Sequence, residues 1–236
     1  MTPEVNDEVW ALRPDFAALS VVVRNGRNAP GRGGAITFDR LLQPPAWAEG
    51  HFEAWRDAYR AFGARPQRTP CSAEALWRRM ARDGAIASIN AVVDLYNEVS
   101  LRYAVPVGGE DLSAYAGAPR LVRATGNEPF QTIRDGQPMV ETADPGEVIW
   151  RDDSGVTCRR WNWRQTSRTR LQSETTRMWF ILERLDPLPM EALLEAGDVL
   201  VSGLRHLAPG AEIATTVVKR PAPDARRSAD VPRSAS

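Results

Sequence analysis

One stretch, Asp144 to Arg170, limits what this chain can fold into more than any other. It reads DPGEVIWRDDSGVTCRRWNWRQTSRTR. β-rich residues flank Asp152-Asp153-Ser154-Gly155 and spell a hairpin: a strand over Gly146–Arg151, a turn closed by glycine, and a strand over Val156–Trp163. The second strand is unlike an ordinary core strand. Side chains alternate across a strand, so Thr157, Arg159, Trp161, Trp163 and Gln165 are expected on one face. Cys158, Arg160, Asn162 and Arg164 are expected on the other. Both sets carry polar tips, which suits the wall of a site. Five arginines and no acid lie between Arg159 and Arg170, and guanidinium groups grip carboxylates and phosphates bidentately. The residues alone leave two readings open. Either this strand binds something, or its tryptophans fill core and its arginines pair with Asp94, Asp152 or Glu147.

The totals exclude several classes. The chain has 236 residues and a formal net charge of zero, so no whole-chain field draws it to nucleic acid or membrane. Cys71 and Cys158 form no CxxC, and His51 and His206 are isolated. No metal-ligand spacing exists, so neither a metal nor any other cofactor is expected. The first fifteen residues are acidic and broken by Pro3 and Pro14, unlike a signal peptide. No apolar run approaches the roughly 20 residues of a membrane span. A cytoplasmic protein without a membrane partner is the expectation.

Periodicity supplies the elements. Phe16–Arg24 reads as a strand, followed by a glycine-rich loop over 28–34 that lacks the lysine of a phosphate loop. Ala46–Gly63 reads as a helix with Phe52, Trp55, Tyr59 and Phe62 inward, and with His51 and Arg56 solvated. Arg65–Pro70 is a basic connector. Ser72 is expected to cap a helix with Leu76, Trp77 and Met80 inward, stopped by Gly84. A further helix is predicted over Ile86–Tyr103, burying Ile89, Val92, Val93, Tyr96 and Val99. Val107–Asp111, with its paired glycines, reads as a tight turn. Strands follow at Arg120–Thr125, Phe130–Ile133, Met178–Leu182 and Ile213–Val218, with a helix over Pro189–Leu207. Residues 1–8 read as a lead-in and 9–219 as one α+β domain. The segment 220–236, rich in Pro, Ala, Arg and Ser, reads as a disordered basic tail.

No Ser/His/Asp set, metal cluster or dinucleotide loop is present. What remains is the Arg/Trp/Asn/Gln strand, the Gly-Gly-Glu-Asp segment, and a helix end carrying Asn97, Ser100 and Arg102. Groups of this kind bind and orient.

Four strings, VDLYNEVSLRYAVPVGGEDL (93–112), LVRATGNEPF (121–130), PGEVIWRDDSGVTCRRWNWRQTSRT (145–169) and TTRMWFILE (175–183), resemble the free-standing B3/B4 domain proteins. These are related to the B3/B4 region of the phenylalanyl-tRNA synthetase β subunit, which hydrolyses tyrosine wrongly esterified to the phenylalanine tRNA. The resemblance covers roughly 9–219 and is most specific over 72–183. It implies sheets flanked by helices around a pocket for an amino acid on a tRNA 3′ end. It also implies trans-editing, the deacylation of a mischarged tRNA, without aminoacylation. Asn97, Glu110 and Glu183 are then the expected catalytic groups, with Glu110 standing where relatives often carry a histidine. Ser100, Arg102, Gly108, Gly109, Arg159, Arg160, Trp161, Asn162, Trp163, Arg164 and Gln165 are the expected contacts to amino acid and tRNA. The other reading is a non-catalytic module that keeps the pocket for an amino acid or RNA end.

Overall fold

Nearly continuous apolar runs at 17–24 and 178–184, buried on both faces, pair with each other and form the middle of one sheet. A computed structural model describes residues 2–31, 35–36 and 43–221. Its strands and helices, in chain order, begin with β1 (Glu4–Val5), α1 (Asp7–Leu12), β2 (Ala17–Arg24), β3 (Ala35–Ile36) and α2 (Ala48–Ala61). Next come α3 (Ser72–Asp83), β4 (Ile86–Ala87), α4 (Ala91–Tyr103), β5 (Val107–Asp111) and β6 (Arg120–Arg123). The remainder are β7 (Pro129–Arg134), β8 (Gln137–Thr142), β9 (Val148–Asp152), β10 (Gly155–Arg159), β11 (Arg164–Gln165), β12 (Met178–Arg184), α5 (Met190–Leu207) and β13 (Glu212–Lys219).

An antiparallel sheet in the order β13-β2-β12-β5 lies at the centre. One of its faces carries Leu19, Val21, Val23, Met178, Phe180 and Leu182 and packs on α4 and α5. The other carries Ala18, Trp179 and Ile181 and packs on α2 and on a mixed sheet ordered β1-β6-β9-β10-β11. The result is an α+β architecture of two main sheets with helices outside, and two further strand pairs, β3-β4 and β7-β8, among the described residues. The aromatic stripe of α2 is core, and Trp55 and Tyr59 are fully buried. Among the described residues, no helix is long and apolar enough to cross a membrane.

Several expectations change. The segment Val107–Asp111 is the edge strand β5, not a turn. Its Gly109 is glycine for want of room: a Cβ there would sit 2.8 Å from Phe180 Cε1 and 2.9 Å from Tyr96 Cε1. The helix expected from Ile86 starts at Ala91, because Asn90 is extended and its side chain accepts from the N–H of Val93. Ile86–Ala87 instead pairs with Ala35–Ile36, and Ile89 stands 65% exposed. Ser72 is the first residue of α3 rather than its cap, and its hydroxyl is buried without a partner among the described residues. Leu76, Trp77 and Met80 are only half-buried. Leu185 N–H, Trp55 Nε1 and the Ala104 carbonyl surround His51, which is buried, not solvated. Arg56 is likewise engaged, by Glu49, Glu53 and the buried Glu74. The strand β8 was not anticipated. Of the loop at 28–34, residues 32–34 lie outside the described residues, as does the expected tail from 222 onward.

The His51 environment makes a pH-dependent contribution to stability. Nε2 accepts two N–H donors, so Nδ1 carries the proton and donates to the Ala104 carbonyl. Burial pulls the pKa from 6.5 down to about 4. The unfolded chain therefore binds this proton near 6.5 and the folded chain only near 4. Stability present above the unfolded value is lost as pH falls through that window, by about 3 kcal/mol. Comparison with His51→Gln, which takes up no proton, isolates the effect in urea denaturation. The stability gap between the two proteins should shrink or reverse by that amount on acidification, and a pH-independent gap would refute it.

Candidate active site

β12 and β5 position the central groups. Trp179, Ile181 and Glu183 point from β12 toward the mixed sheet, and Trp179 and Ile181 lie opposite Glu110 and Gly108 of β5. Residues opposite each other share a face, so Glu110 and Glu183 both look into the space between the sheets. That space is a cavity of about 230 Å³. Four residues of strand separate the two backbone positions, roughly 13 Å along the sheet, and, besides burial, the charge of Glu110 still contributes to raising the Glu183 pKa. The two glutamates are therefore opposite ends of one cavity rather than a touching pair.

Each end has its own hydrogen bonds. Glu183 is 1% exposed. Trp150 Nε1 donates to its Oε1 at 2.9 Å, and Asn162 Nδ2 to its Oε2 at 3.0 Å. Asn162 is itself oriented by the Tyr59 hydroxyl, which donates to Oδ1 at 2.9 Å. Burial outweighs these donors and lifts the Glu183 pKa to about 8. At the other end Glu110 is 3% exposed and accepts from the Tyr115 hydroxyl at 2.5 Å. Burial raises its pKa to about 7, against the lowering effect of Tyr115 and of the Arg168 charge. Two carboxyl groups tuned to the neutral range and facing one cavity are the kind of perturbation expected where proton transfer occurs.

The predicted strand over Val156–Trp163 breaks after Arg159. The register shifts between Val156 and Cys158, and Arg160 and Trp161 take left-handed conformations, with φ of 47° and 66°. The expected alternation fails beyond that point, and Trp161, Asn162, Trp163, Arg164 and Gln165 all reach the cavity. Gln165 is held to β5 by a hydrogen bond from Nε2 to the Gly109 carbonyl at 3.2 Å. On α4, Asn97 lines the cavity and makes no side-chain hydrogen bond among the described residues.

The cavity thus gathers Asn97, Gly108, Glu110, Trp161, Asn162, Trp163, Arg164, Gln165 and Glu183. Five other candidates fall outside it. The hydroxyl of Ser100 donates to the Val105 carbonyl at 2.7 Å and fastens the end of α4. Arg102 is exposed, 3.9 Å from Glu98. Gly109 faces Phe180 and Tyr96. Arg159 is tied to Glu147 at 2.7 Å, Asp144 at 3.1 Å and Glu141 at 3.2 Å. Arg160 lies 4.5 Å over the Trp163 ring and 3.5 Å from Asp144. The structure adds Ser72, Tyr96 and Trp150 to the wall and Tyr59 and Tyr115 behind it. None of the five had a functional signal in the sequence: Ser72 reads as a helix cap, and Tyr59 and Tyr96 read as packing.

A family model described as the B3/4 domain matches residues 54–192, which contain every residue lining the cavity. No curated protein matches the chain. One similar solved structure is an N-terminal fragment of the phenylalanyl-tRNA synthetase β subunit from Pyrococcus horikoshii, 13% identical with a TM-score of 0.49. The alignment covers 90% of this chain and 50% of that one, so this chain spans half the length of that fragment. The family match extends over more than half of the sequence and over the whole cavity, and the chain belongs to the B3/4 domain family.

Proposed function

We propose that this protein hydrolyses the ester between a wrongly attached amino acid and the 3′ end of a tRNA. The observation that carries this reading is the pair of buried carboxyl groups, Glu110 and Glu183, at the two ends of one cavity. The cavity volume of about 230 Å³ falls below the roughly 300–1,000 Å³ of drug-sized sites and suits one amino acid. Glu110, with a pKa of about 7, is half ionised near neutrality, the optimum for a general base. It takes a proton from a water as that water attacks the ester carbonyl carbon. Asn97 and the Ser72 hydroxyl, both without side-chain partners among the described residues, are available to donate to the carbonyl oxygen as charge develops on it. Collapse of the tetrahedral intermediate breaks the bond to the ribose oxygen, which takes up a proton, leaving free amino acid and uncharged tRNA. Glu183 remains a carboxylic acid at neutral pH and offers a hydrogen bond that orients the amino acid.

The test is deacylation of tRNA carrying tyrosine and a panel of other non-cognate amino acids. A positioned base is expected to accelerate loss of at least one ester by about 10²-fold or more over spontaneous hydrolysis. Binding of amino acid or tRNA with no acceleration for any member of the panel would make the protein a binding module instead.

A further inference from the structure

A second cavity, of about 530 Å³, is lined by Arg65, Arg68 and Arg160 together with Asp144 and Glu147. The second cavity is built from two stretches of chain, and the first, whose carboxylates come from β5 and β12, takes the rest of its wall largely from continuations of the same two. One runs from the end of α2 through α3; the other runs from Asp144 to Gln165. The left-handed pair Arg160–Trp161 joins them: Trp161 lines the first cavity and Arg160 the second. The Arg160 guanidinium also covers the ring of Trp163, which belongs to the first cavity.

The charges in the second cavity do not cancel. Arg159 donates to both oxygens of Glu147, which also accept from the backbone N–H groups of Arg160 and Asp144. Asp144 is shared between Arg159 and Arg160. Arg65 and Arg68 have no ion pair and no side-chain hydrogen bond among the described residues. Their backbone is nonetheless fixed. The N–H groups of Arg68 and Thr69 donate to the Arg65 carbonyl at 2.9 and 3.0 Å, and the Thr69 hydroxyl adds a third bond at 3.1 Å. Two unpaired guanidinium groups on a rigid turn, at a concave surface, have the chemistry of a phosphate site.

We propose that the Arg65–Arg68–Arg160 cavity is a phosphate subsite, which holds a phosphodiester of the same nucleotide strand whose esterified 3′ end enters the carboxylate cavity. This rests on the deacylation reading, and it makes the substrate a polynucleotide ester rather than a free amino-acid ester. It also moves the anion contacts from Arg159, which is fully paired, to a connector that the hairpin does not include.

The probe is the trinucleotide C-C-A without an attached amino acid, titrated by calorimetry at several salt concentrations. The double variant Arg65→Ala/Arg68→Ala should weaken its binding by roughly 10-fold and lower the slope of log Kd against log salt by about 0.7, one single-strand phosphate contact. Arg65→Lys/Arg68→Lys keeps the charges and should keep most of the slope. An unchanged affinity and slope in the alanine variant overturns the proposal. So does an affinity for inorganic phosphate equal to that for the trinucleotide, which would mark a free-anion site. Because the trinucleotide carries no ester, this result is read independently of hydrolysis. Failure of the deacylation reading shows in the charged-tRNA panel, and failure of the phosphate subsite shows here.

Discussion

Replacing Glu110 by Gln should lower deacylation by about 10²–10⁴-fold while making the folded protein more stable. The two effects have one cause. Glu110 is buried, and its pKa is lifted from 4.5 to about 7 because the cavity disfavours its charge. The folded chain therefore holds a proton that the unfolded chain releases near 4.5, and stability is lost as pH rises through the folded value. Above pH 7 the strain of a buried charge amounts to roughly 3 kcal/mol, and glutamine does not carry it. The amide keeps its carbonyl for the Tyr115 hydroxyl, so the local geometry survives. Deacylation by the wild-type protein, after subtraction of the spontaneous rate, should rise as pH increases through about 7. The variant should lack that rise. Thermal melts at alkaline pH and single-turnover deacylation measure the two halves separately. A variant that stays active defeats the general-base role, and one that is inactive but less stable shows a merely structural glutamate.

Trp161→Ala should cost about 3–5 kcal/mol of folding stability. Trp161 is fully buried, edge-on to Phe16 at 5.2 Å and to Trp55 at 5.2 Å. Its indole N–H makes no well-formed hydrogen bond among the described residues and only helps to lower the Glu183 pKa, so most of the loss is one of packing. Alanine also inherits the positive φ of 66°, so no backbone strain is relieved. Trp163, which is half-buried and covered by Arg160, should lose far less on the same substitution. Urea denaturation of the pair provides the measurement. Equal losses at the two positions would mean that the left-handed turn does not divide them into core and cavity rim.

The hairpin shows how far the sequence could be read. Its two strands and its turn follow from alternation and from Gly155, and the structure has them at β9 and β10. Alternation is a local rule, however, and it cannot foresee a turn made of Arg160 and Trp161, neither of which favours positive φ. That conformation is held by distant groups. Glu147 accepts from the Arg160 N–H at 2.7 Å, and the Val148 carbonyl accepts from the Trp161 N–H at 2.6 Å. The paired glycines at 108–109 are a second case. Glycine pairs usually mark turns, but here Gly109 gives way to two rings from β12 and α4. His51 is the third: one histidine beside an apolar stripe carries no signal that the end of α4 and the start of the β12–α5 link will close over it.

By itself the sequence determined the α+β class, the aromatic face of α2, the strands β2 and β12, and the strings that mark the B3/4 family. Those follow from periodicity and residue type, which act over a few residues. It also named Asn97, Glu110 and Glu183 as groups of interest. Only the tertiary structure decided that they share one cavity, that Arg159 is paired while Arg65 and Arg68 have no partner among the described residues, and that burial raises the pKa of both carboxyl groups. The physical reason is that burial and charge pairing depend on segments far apart in the chain. A carboxylate on a strand is an ordinary acid until a second sheet closes over it and removes its water.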